Sequence, residues 1–214
     1  MSGNPRERAD AARNRRAILA ATERLLATHR PQDISMEQVA AAAGVGKGTV
    51  FHRFGNRAGL MHALMVERAQ ALGEAVRAGP PPLGEGAPAR DRLLAFLSAV
   101  AEVVARNKSL MAELAYTPAP AGDQADERDR PPVYAFWHSH ISGLIAAERP
   151  DADADLIAHV VLGSLHSDPI LKELAASGPG RLAATLQFLA GALIDAPASA
   201  AASELPAIDD HPVM

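Results

Sequence analysis

The chain has 214 residues, with 21 Lys+Arg against 25 Asp+Glu (formal net charge -4) and 48% hydrophobic residues. That length and apolar share support a folded core and exclude a wholly disordered chain. Taken whole, the acidic balance does not mark a nucleic-acid binder. There is no cysteine, which excludes disulfides, thiolate metal sites and thiol catalysis. No apolar run approaches the ~20 residues needed to cross a bilayer. The polar, basic start MSGNPRERADAARNRR lacks the apolar stretch of a signal peptide, so a cytoplasmic location is expected.

Prolines punctuate the chain, and the segments between them are rich in Ala, Leu, Arg and Glu, all good helix formers. Sustained β-branched alternation is missing. The fold class is all-α, with nine or ten helices. Charge divides the chain: residues 1–68 hold 11 Lys+Arg and 6 Asp+Glu, a net of +5, and the remainder carries -9. A basic N-terminal module on an acidic body is expected. The expected units are a basic disordered leader at 1–12, a basic head at 13–56, an acidic helical body at 57–195, and a disordered Ala/Ser/Pro-rich tail at 196–214.

In chain order, Ile18, Ala21, Leu25 and Leu26 give a first amphipathic helix over 13–28. The second helix has a capping box, Ser35 with Gln38, and a hydrophobic staple, Ile34 with Val39. Gly44 stands where a helix ends in the left-handed conformation. Gly46 then opens a short helix, Lys47–Phe54. Two short helices joined by a tight glycine turn make a helix-turn-helix, whose second helix enters the DNA major groove.

The block ISMEQVAAAAGVGKGTVFHRFGNRAGL, residues 34–60, resembles the DNA-binding domain of TetR-family transcriptional regulators. The resemblance rests on Gly44-Val45, on Phe51-His52-Arg53-Phe54 and on Arg57, and it spans about residues 13–64. Two departures, Gly46 for a Ser/Thr cap and Gly59 for an acidic residue, predict a slightly soft joint before the fourth helix. The resemblance implies that Lys47, Gly48, Thr49, Phe51 and His52 meet DNA. Arg57, at the start of the fourth helix, is expected to clamp a phosphate. Phe54 reads as core, and Phe51 is divided between core and DNA backbone. Arginines 6, 8, 13, 15 and 16 form either an arm or an ordinary leader.

Residues 57–78 form the long fourth helix linking head to body. The chain has only eight aromatics, and Tyr116, Tyr134, Phe136 and Trp137 fall close together. Phe96, Val100, Met111, Tyr116, Tyr134, Trp137, His138 and Ile141 are therefore the candidate effector pocket, each with a competing assignment to plain core. Polar groups expected there include His140, His159 and His166. His138 and His140, two apart, point to different helix faces, and no metal-binding motif accompanies the histidines. Neither a metal nor any other cofactor is expected. Leu182, Leu186, Leu189 and Leu193 make an a/d-like stripe, with Leu156 and Val160 on the preceding helical segment. The family resemblance implies that these helices pair with a twin subunit.

The resulting reading is a homodimeric repressor. It binds a palindromic operator and is released by a small apolar or amphipathic effector. The alternative is an all-helical small-molecule carrier or enzyme that does not bind DNA. Against that alternative, the sequence shows no nucleophile elbow, P-loop or GxGxxG.

Overall fold

The structure, a computed structural model, describes residues 5–115, 132–165 and 167–197. The expected side chains of Met111, Tyr116 and His166 lie outside what it describes, as does the chain from 198. The described residues are helical without strands: α1 (Pro5–Leu26), α2 (Met36–Ala43), α3 (Lys47–Phe54), α4 (Arg57–Ala78), α5 (Ala89–Ala115), α6 (Pro132–Glu148), α7 (Ala154–Ser164), α8 (Asp168–Ser177) and α9 (Pro179–Asp195), with a short 3-10 turn at Pro31–Asp33.

The first helix begins at Pro5, not near residue 13, so the expected disordered leader is helical from that point. The reason is local. Proline is compatible with a first helical position, and the Ala/Arg/Glu residues after it favour helix. Arg13 also pairs with Asp10 one turn earlier.

Caps set the next boundaries. The Gln38 amide donates to Ser35 Oγ at 3.1 Å, and the Ser35 amide donates to Gln38 Oε1 at 2.8 Å, completing the capping box. Gly44 is left-handed (φ 67, ψ 31). Its amide donates to the Ala41 carbonyl at 3.2 Å, and the Val45 amide to that of Ala40 at 3.0 Å, as in a Schellman ending. Asn56 caps α4, its side chain accepting from the Gly59 amide at 2.9 Å.

Two hydrophobic clusters organise the molecule. The head cluster joins Ile18, Ile34, Val39, Val50 and Phe54 to Leu60, Met61 and Leu64 of α4 and to Leu110 of α5. The head's core therefore runs past residue 56 into the long helix and rests on the far end of α5. The body cluster is built on α5, against which α4, α6, α8 and α9 pack.

Gly59 is explained differently from the expectation. A side chain there would collide with the Phe54 carbonyl, so the glycine permits a close approach of α4 to the end of α3 and is not simply a soft spot.

The α9 stripe splits. Leu182 and Leu186 are buried in the body's own core, and Gln187 reaches α5, donating to Ser98 Oγ at 2.7 Å. These two leucines, expected at a subunit seam, pack against the body's own core. Leu193 is half-buried against the same cluster, whereas Leu189 turns outward.

Candidate DNA-binding head and effector cavity

On α3, Val50 and Phe54 point into the head core, while Lys47, Gly48, Phe51 and His52 are exposed and Thr49 is half-exposed. The helical period forces this division, because positions four apart share the buried face. The cap at Gly46 uses no side chain, so the backbone at the start of α3 stays uncovered. Lys47 pairs with Glu37 of α2, and its Nζ lies 5.5 Å from the Phe51 ring centre. The hydrogen bond from Lys47 is the main cause holding the Glu37 carboxyl below its ordinary range. Arg57 donates to the Gln32 carbonyl at 2.7 Å, which ties the start of α4 to the turn before α2.

Where head meets body, Arg68 of α4 makes a clasp that the sequence reading missed. Its Nε and Nη2 donate to Glu23 Oε2 of α1 at 3.1 and 2.8 Å. Its Nη1 donates to the Arg106 carbonyl at 2.7 Å and to Asn107 Oδ1 at 3.0 Å, both on α5. The Arg68 side chain is only 9% exposed, while Glu23 remains 41% exposed, so the guanidinium end of these charge-assisted bonds is the sheltered one. Partners far apart in sequence leave no linear signal.

A cavity of about 380 Å³ lies between α4, α5 and α6. Met65 and Ala69, Val103 and Asn107, and Tyr134 and Trp137 form walls from these three helices. The indole Nε1 of Trp137 is buried without a hydrogen-bond partner among the described residues. Of the predicted pocket residues, Tyr134 and Trp137 line this cavity. Phe96 and Val100 are fully buried in the body core, and Ile141 borders a separate apolar cleft of about 80 Å³ between α5, α6, α7 and α9. His138 faces α7, near Asp155 and His159, while His140 packs edge-on to Phe96 at 4.6 Å.

Among the described residues, five large hydrophobics stay exposed: Phe51 in the head, and Leu156, Val160, Phe188 and Leu189 on α7 and α9. Phe188, at 74% exposure the most open, was not among the residues singled out from the sequence. The same two helices border the small apolar cleft, to which Ile157, Val161 and Leu189 contribute. No described helix is long and apolar enough to cross a membrane.

Residues 18–64 match the family model described as "Bacterial regulatory proteins, tetR family". No curated protein matches the chain significantly. Solved structures do resemble it. A transcriptional regulator from Rhodococcus sp. Rha1 is 21% identical with a TM-score of 0.57, covering 84% of this chain and 95% of its own. The fatty acid degradation regulator FadR from Bacillus halodurans is 16% identical with a TM-score of 0.55, covering 91% and 97%. The TetR transcriptional regulator SCO0520 from Streptomyces coelicolor is 22% identical with a TM-score of 0.52, covering 85% and 96%. These likenesses, each over 84% or more of the chain, show its overall fold, and the family model matches the head. Residues 18–64 form the helix-turn-helix domain that the TetR-family model describes, on a body with the all-helical fold of the solved regulators it resembles.

Proposed function

We propose that the chain is a homodimeric transcriptional repressor that acts in the cytoplasm and releases its operator when a small effector enters the body. The observation that carries this reading is the outer face of α3. Lys47, Gly48, Thr49, Phe51 and His52 stand clear of a core that Val50 and Phe54 anchor from behind. This face fits a major groove, with Lys47 exchanging Glu37 for a phosphate or a guanine edge. Arg57, braced on the Gln32 carbonyl, stands at the α4 N-terminus, where a phosphate is favoured. The functional head comprises residues 13–56 with the first two turns of α4, and the rest of the described chain serves sensing and pairing.

The α7 and α9 face, with Leu156, Val160, Phe188 and Leu189, pairs with a second copy. Four exposed large hydrophobics on two helices that border one apolar cleft are more than a stable monomer needs to leave uncovered. The effector occupies the larger cavity, whose volume falls within the ~300–1,000 Å³ range of small-molecule sites. Its lining selects an apolar body, and the Trp137 indole N–H supplies one donor for an acceptor on the ligand. Selection of random duplexes by the purified protein tests the reading. It should return an inverted repeat with half-sites about one helical turn apart. Recovery of unenriched sequence would refute it.

A further inference from the structure

We propose that His138, Asp155 and His159 form a binding site for one divalent transition-metal ion of the zinc type. His138 stands on α6, and Asp155 and His159 are one turn apart on α7, sharing a helix face. One ligand atom from each of the three lies within 4.8 Å of the others. His138 Nε2 is 3.5 Å from Asp155 Oδ1, and His159 Nε2 is 3.8 Å from Asp155 Oδ2. Ligands around one tetrahedral zinc sit about 3.4 Å apart, given the usual Zn–N and Zn–O lengths. The three side chains are therefore near coordinating separation and need only small rotations to close on an ion.

The His159 ring is also held. The Tyr134 hydroxyl lies 2.7 Å from His159 Nδ1. With Nδ1–H donated to that oxygen, the lone pair of His159 falls on Nε2, the nitrogen that faces the carboxylate. The hydroxyl stands where metal-ligating histidines ordinarily find a carboxylate, backbone carbonyl or water as outer acceptor. His138 Nε2 faces the Asp155 carbonyl at 3.1 Å as well as its carboxylate, and the ion takes the place of that hydrogen bond. The two imidazoles approach to 3.9 Å between ring centres, which brings two nitrogen donors beside one acid.

Two neutral imidazoles and one carboxylate suit zinc, nickel or cobalt. Calcium and magnesium require more oxygen ligands. Three protein ligands leave room for water or a chelating small molecule. The His138–Asp155–His159 arrangement joins α6 to α7, and Tyr134 connects it to the wall of the larger cavity. A linear motif could not show it, because the ligands come from different helices.

The test uses the full chain, stripped with a chelator and titrated calorimetrically with zinc chloride, and with cobalt(II) as a spectroscopic probe. We expect one zinc per chain with micromolar or tighter affinity, and a cobalt d–d band. Asp155→Asn, at an exposed position that leaves the fold intact, and His159→Gln should each weaken zinc binding at least tenfold and abolish the band. Tyr134→Phe should weaken it about tenfold by releasing the ring. His140→Gln and His62→Gln should leave it unchanged. Far-UV circular dichroism checks that each variant is folded. Failure of the wild type to bind zinc at 100 times micromolar concentrations, or undiminished binding by folded Asp155→Asn, would overturn the assignment.

Discussion

Asn107 stands on the wall of the larger cavity and accepts a 3.0 Å hydrogen bond from Arg68, whose guanidinium also grips Glu23 of the first helix. One side chain thus connects the cavity between α4, α5 and α6 to the head. On the proposed reading, an effector displacing Asn107 would act on Arg68, and through it on the angle between α1 and α4. Rigid-body shifts of this kind alter the spacing of two heads.

Arg68→Met therefore has two expected effects. Chemical unfolding should show a loss of about 1–3 kcal/mol, because a half-sheltered ion pair is broken and acceptors lose their donor. At temperatures where the variant is folded, operator binding should persist while the effector releases it less completely. A variant with unchanged stability and full effector response would show that the clasp is idle.

Phe188→Asp and Leu156→Asp place charges on the apolar α7–α9 face. Sedimentation velocity should show a dimer for the wild type and a monomer for either variant, with folding preserved because both positions are exposed in the subunit. Operator affinity should fall by about 100-fold or more, since two linked heads gain that much over one. Dimeric variants with wild-type affinity would place the pairing surface elsewhere.

Gly59→Ala separates two physical effects of opposite sign. Helix propensity alone would make alanine about 1 kcal/mol more stable. The approach of the Phe54 carbonyl instead predicts destabilisation by about 1–3 kcal/mol. Urea unfolding of the variant decides between them, and a stabilised protein would refute the close-approach account.

His140 gives a pH dependence. Burial, and secondarily the charge of Arg92, hold its imidazole below the ordinary value of 6.5. Above that value both folded and unfolded states are neutral at this residue. As pH falls through it, the unfolded chain takes up a proton that the folded chain resists, so stability declines. The stability of wild type relative to His140→Gln should therefore be greater at pH 7.5 than at pH 5.5. The change should stay well under the ~1.4 kcal/mol per pH unit of one fully excluded proton, because the ring is only partly buried. A pH-independent difference would contradict the assignment.

Local signals in the sequence located the head well. Ser35–Gln38 and Gly44 act over a few residues, so their spacing alone fixes where α2 begins and ends, whereas the Asn56 cap of α4 was not read from the sequence. Non-local pairings were illegible. Glu23 and Arg68, or His138 and His159, meet only after helices pack. How the leucine stripe of α9 divides between faces was hidden for a related reason. Its spacing fits a helix seam, but α5 within the same subunit occupies the Leu182–Leu186 face, leaving the outward face to Leu189 and the overlooked Phe188. The acidic net charge likewise averaged a basic head with an acidic body.

The central claim is that the outer face of α3 reads DNA. It is tested most directly by fluorescence anisotropy of the duplex that the wild type selects, titrated with wild type and Lys47→Ala/Thr49→Ala across a range of salt. The prediction is tight, steeply salt-dependent binding of the wild type, at one dimer or more per duplex. The variant should lose about tenfold or more in affinity, with a shallower salt slope by about one unit for the lost phosphate contact. Equal affinity and equal slope for the two proteins would contradict it.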